Sequence, residues 1–142
     1  MKKIAFLLFI FLTTTAAWAQ NTYNCEITLL ENGEKTALFS VTVDVDKKAD
    51  VEKCACEALL TTLLLEGVEG FDQGRPLSNK KISYWRNEIN LFKNEDVYLK
   101  YTTHQLESEP IASSSGKAGT VYVMLDHEKF LRYLDRYGVR NK

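Results

Sequence analysis

Between Phe39 and Leu63 the spacing of apolar residues changes once, and that change limits the folds open to this chain. Phe39, Val41, Val43 and Val45 alternate with Ser40, Thr42 and Asp44, a period of two that presents one face to a core and the other to water. From about Lys47 the apolar positions become Val51, Cys54, Ala55, Ala58, Leu59, Thr62 and Leu63, which recur at helical spacing. A strand leading directly into a long Ala/Leu helix predicts a helix packed back on its own sheet. Asp46 or Asp50 supplies an N-cap and Gly67 a stop.

The flanking segments extend this pattern. Cys25, Ile27 and Leu29 alternate with Glu26, Thr28 and Leu30, and Asn32-Gly33 marks a turn, so the first two strands form a hairpin. Residues 83–94 read as a shorter helix carrying Tyr84 and Trp85. Val97, Leu99 and Tyr101 then read as a strand, paired with the strand of Val121, Val123 and Leu125 across a flexible loop at residues 110–119. Asp126 caps a final helix that buries Phe130, Leu131 and Leu134 and ends at Gly138. The expected fold is α+β in the order ββααββα. It has two layers: a mainly antiparallel sheet of about four strands in two hairpins, with helices on one face.

Lys2 and Lys3, the apolar run Ile4 to Leu12 and the small-x-small triplet Ala17-Trp18-Ala19 predict a cleavable signal peptide over residues 1–19. The apolar run is shorter than the ~20 residues of a spanning helix. Residues 20–142 then form a single α+β domain in the periplasm or outside the cell, with no membrane span. Loss of Lys2 and Lys3 takes the formal charge from −1 to −3. A mildly acidic chain without a Lys/Arg stripe is a poor phosphate binder, which argues against nucleic acid as a partner.

Three cysteines in an exported chain permit one disulfide. Cys54 and Cys56 lie about 200° apart around a helix, too divergent to chelate one metal or bond to each other. Cys25 and Cys54 are the candidate pair, joining the first strand to the main helix for ~3 kcal/mol in the chain-entropy account. The alternative is that both are small apolar core residues. Ser115-Gly116-Lys117 lacks the glycine and the Ser/Thr of a phosphate loop, since Ile111 and Ala118 stand in those places. His127 reads as part of a helix start and His104 as a residue on a strand's wet face. No catalytic residue, metal site or cofactor is indicated.

The remaining signal is aromatic. Tyr84 and Trp85, with Arg75, Pro76 and Leu77 in the Gly/Pro loop of residues 67–78, form the candidate interface, because Trp, Tyr and Arg dominate binding hot spots. The function expected is an exported non-enzymatic module that binds a protein or other envelope component. The alternative is a small periplasmic hydrolase or ligand-binding protein with a pocket near residues 67–78.

Three stretches carry a resemblance: the Ala-rich helix running into Leu65-Glu66-Gly67-Val68-Glu69-Gly70; Arg75-Pro76-Leu77; and Val121-Tyr122-Val123-Met124 with Phe130-Leu131-Arg132-Tyr133-Leu134 and Gly138-Val139. Together they resemble small exported proteins of Bacteroidetes-type bacteria, whose function is largely unknown. The helix–loop and the final strand–helix are similar to envelope modules of the flagellar-assembly T protein type. These are packing and turn motifs, so the resemblance implies compartment and fold and transfers no site residue.

Overall fold

The computed structural model describes residues 24–81, 84–85 and 97–141. The expected signal-peptide segment and all but two residues of the expected second helix lie outside that range. Tyr84 and Trp85 are helical.

Strands β1 (Asn24–Asn32) and β2 (Thr36–Val45) form the expected hairpin, and β2 leads into helix α1 (Val51–Leu65). Two short 3-10 turns follow, Asp72–Gly74 and Val97–Lys100. After them come β3 (Thr102–Leu106), β4 (Ile111–Ala112), β5 (Lys117–Asp126) and helix α2 (His127–Arg136). The sheet runs β1-β2-β5-β3, antiparallel throughout, with β4 continuing the β3 edge along the first residues of β5. The α+β class and the single helical layer are as expected, with five strands instead of about four.

The capping chemistry accounts for the helix limits. Asp50 Oδ1 accepts from the Lys53 amide and opens α1, and Asp126 Oδ1 accepts from the Lys129 amide and opens α2. At the other end of α1 the amides of Glu66 and Gly67 both donate to the Thr62 carbonyl, with Gly67 at φ +89°. The Leu63 and Leu64 carbonyls, which have no partner inside a helix end, accept from the amides of Leu77 and Ser78 on the returning loop.

The sheet divides cleanly into two faces. Ala37, Phe39, Val41, Val43 and Val45 of β2 and Val121, Val123 and Leu125 of β5 are buried, in one cluster with α1 and with Phe130 and Leu134 of α2. Helix α1 is buried without a break from Ala55 to Leu64. Leu77, Trp85, Tyr98 and Val139 belong to that same cluster, so the chain that follows α1 helps to enclose it.

Two expectations need correction. Residues 97–100 form a 3-10 turn, and the strand starts at Thr102. Tyr98 is buried and its carbonyl accepts from the Tyr101 amide and the Thr102 hydroxyl, which turns the chain before it can pair. The segment 110–119 is also not a loose loop. It is β4, a tight turn and the start of β5, with the Ser113 and Ser115 hydroxyls donating to Asp44 Oδ1 at 2.6 and 2.8 Å. Gly116 lies so close to the exit of β2 that a Cβ there would meet the Val45 carbonyl at 2.3 Å.

Candidate functional site

The expected interface separates into buried and exposed parts. Leu77 is 1% exposed and Trp85 2%, so neither offers area to a partner. The reason is polar as well as apolar. Trp85 Nε1 donates to Ser78 Oγ at 2.6 Å, and the same oxygen accepts from the Lys80 amide. The C-terminal residues hold the loop from the other side: Asn141 donates from its amide to Leu77 O and from its side chain to Pro76 O. The Asn79 amide donates to Val139 O. Trp85 is thus an anchor for the loop at Ser78, which the C-terminal residues hold from its other side. Tyr84, beside it in an edge-to-face contact, is 43% exposed and has Lys80 Nζ over its ring. Arg75 and Pro76 are half-exposed, and Arg75 reaches Asp72 at 3.6 Å.

The loop of residues 67–78 contributes its own side chains to the core. Val68, Phe71, Leu77 and Ser78 are buried, and Phe71 stacks edge-on against Phe39 and His127. Asp72 and Gln73 hold left-handed φ values of 48° and 61°, a cost accepted here to turn the chain after Phe71 enters the core.

No disulfide joins Cys25, Cys54 or Cys56. The expected core face of α1 is buried except at Cys54, which is half-buried, whereas Cys56 is fully buried. Burial, with lesser contributions from Glu66 and Glu26, pushes the Cys25 thiol up to about 12. Burial likewise pushes Cys56 up to about 11, against a hydrogen bond with Thr102 that lowers it. Both thiols are therefore poor nucleophiles.

His127 opens α2, and its Nε2 lies 2.9 Å from the Gly33 carbonyl, tying the β1–β2 turn to the helix start. His104 departs from its expected place. Because β3 begins at Thr102 facing the core, His104 falls on the helix side, with Nδ1 2.7 Å from Glu52 Oε2 of α1. No group of His, Cys, Asp or Glu among the described residues is arranged to hold a metal. No helix among them is long and apolar enough to cross a membrane.

The second surface is the sheet face opposite the described helices, which a two-layer fold leaves partly solvated or free for contact. Its cross-strand rows follow from the pairing. Glu26, Thr42 and Thr120 form one row, Thr28, Ser40, Tyr122 and Gln105 the next, and Glu31, Leu38, Met124 and Thr103 a third. Thr42 and Thr120 share a hydrogen bond at 2.7 Å, and Tyr122 donates to Glu107 at 2.7 Å, which raises its phenol pKa. Ile111 on β4 is 71% exposed at one corner. The ionisable side chains of this face, Glu26, Glu31, Asp44 and Glu107, are all carboxylates apart from the phenol. Burial raises the Glu26 pKa. The signal was present in the polar half of each alternation (Ser40, Thr42, Asp44 and Tyr122), which only the strand order assembles into one surface. Compared with known protein families, curated proteins and solved structures, the chain matches none.

Proposed function

We propose that this protein is an exported, non-enzymatic module that docks a protein or another envelope component on the open face of its sheet. The observation that carries the reading is that face itself. It is an array of hydroxyls around Leu38, Tyr122 and Met124, and the described helices α1 and α2 pack on the other side. Most of its carboxylates stand near its margins, so a partner presenting Lys and Arg would meet complementary charge. The leader-like residues 1–19 and the likeness to exported Bacteroidetes-type proteins support an envelope location. The loop of residues 67–78, its Val68, Phe71 and Leu77 turned into the core, lends no support to a pocket there.

The test is crosslinking of the tagged protein in its own envelope, with Leu38→Lys/Met124→Lys compared against Tyr84→Ala. Loss of the dominant crosslinked partner in the first variant, with thermal stability retained, supports the open face. Loss in Tyr84→Ala alone would return the interface to the Tyr84 side.

A further inference from the structure

The two edges of the sheet are finished differently. On one, β3 has five residues and β4 two, separated by Glu107, Glu109 and Pro110, and a short, charged, proline-broken edge resists further pairing. On the other, β1 runs for nine residues, and no described residue pairs with its outer side. Its only irregularity is the bulge at Leu30, which leaves the run from residue 24 to Leu29 regular. Helix α1 lies mainly over β2 and β5. Consequently Ile27 and Leu29, which point to the helix side, stay half-buried, whereas the residues they pair with, Val41 and Phe39, are fully buried. The apolar layer stops short of this edge.

We infer that β1 pairs antiparallel with β1 of a second copy about a two-fold axis at Ile27, so that one sheet runs through both molecules. The register follows from charge and from the pleat. Centred on Ile27, that residue meets its own copy and Cys25 meets Leu29 on the helix side, while Glu26 meets Thr28 on the open face. Apolar groups then face apolar groups, and the carboxylate faces a hydroxyl. Centring on Glu26 would set two carboxylates directly opposite each other. Centring on Thr28 would bring Glu26 against the bulged Leu30. Registers of odd offset would pair the apolar side chains with the polar face. This edge contact is independent of the open-face reading, since a dimer extends that face without covering it.

An interface built on one strand pair is small, so association should depend on concentration. The mature protein's sedimentation mass is expected to rise from monomer towards dimer with concentration. Ile27→Lys places like charges opposite each other at the axis and should remain monomeric at the concentration where the wild type has doubled in mass. Ile27→Cys should oxidise to a disulfide-linked dimer at least tenfold faster than Glu26→Cys or the wild type, because only residue 27 faces itself. This readout holds even if Ile27→Lys fails to fold. A wild-type mass that stays monomeric throughout, or crosslinking of Ile27→Cys no faster than the controls, would overturn the inference.

Discussion

If Trp85 is the anchor of this loop, Ser78 should matter to stability far more than a loop serine usually does. Ser78→Ala removes the acceptor that Trp85 Nε1 reaches at 2.6 Å in a buried position, and the indole N–H is left without that bond. Stranding a buried donor costs about 1–3 kcal/mol. The Lys80 amide also loses Ser78 Oγ, but Lys80 is exposed and water can replace that bond. Trp85→Phe leaves the serine oxygen bonded to Lys80 and should cost about 1 kcal/mol through the smaller ring. Made in that background, Ser78→Ala should lose most of its effect, so the pair should couple by about 1–2 kcal/mol. The assay is urea unfolding. A chain beginning at Gln20 keeps Trp85 as its single tryptophan, so its fluorescence reports directly on the perturbed site. With m near ~1–3 kcal/mol/M, Ser78→Ala should move the midpoint by roughly 1 M. Additive single effects would remove the hydrogen bond from the account. If Trp85→Ala cost well under the ~3–5 kcal/mol of a buried aromatic truncation, burial of the indole would be refuted.

Gly116→Ala should destabilise by about 1–3 kcal/mol in the same assay, because a Cβ at 2.3 Å from the Val45 carbonyl forces backbone to move; an effect below ~0.5 kcal/mol would mean the turn is not packed there. A thiol reagent at neutral pH should modify Cys54 first and reach Cys25 and Cys56 only on unfolding, with three thiols counted in the denatured protein; a count of one would establish a disulfide. The folded thiols of Cys25 and Cys56 titrate near about 12 and 11 against 9.0 in the unfolded chain, so their stabilising contribution is complete below about pH 9 and is lost as pH rises towards those values; denaturant midpoints on either side of that window check this. Burial raises the Glu66 pKa, and its carboxylate ends α1 against the helix dipole, so Glu66→Gln should stabilise at neutral pH by about 0.3–1 kcal/mol, with the gain fading in acid as the wild-type side chain protonates; an equal gain at both pH values would refute the charge explanation.

The period of two in β2 and the change to helical spacing at α1 were readable because each reflects a single boundary between core and water. The caps at Asp50 and Asp126 were readable because they depend on local chemistry. The phase of α1 was readable from Val51, Ala55, Ala58, Leu59, Thr62 and Leu63, but the extent of its burial was not. The chain that follows covers even Glu57 and Thr61 of its polar stripe, so Cys54 and Cys56 could not be ranked by pattern. The start of β3 was hidden for a different reason. Val97, Leu99 and Tyr101 alternate as a strand would, but the Tyr98 carbonyl is taken locally by the Tyr101 amide and the Thr102 hydroxyl. The role of Trp85 depends on Ser78 and on the C-terminal residues Val139 to Asn141 fixing the loop, contacts that leave no periodic trace.

The enclosure of α1 also bears on where a partner can bind. Among the described residues, Leu77, Trp85, Tyr98 and Val139 are apolar groups that could have formed a hot spot on the helical side, and all four are committed to the core. The large exposed apolar side chains described there, Tyr84, Leu99 and Tyr137, come from three separate segments, and Tyr137 rests against Tyr133 at 4.9 Å. Single exposed apolar residues are ordinary features of a protein surface. The sheet's other face differs in kind. Its cross-strand rows are held rigid by the β2–β5 pairing, with the Thr42–Thr120 hydrogen bond across it, so docking there would order few side chains. A surface already fixed in its bound conformation retains more of each contact's free energy. On that physical ground the hydroxyl-rich face has the stronger claim to a partner than the more conspicuous described aromatics of the helical side.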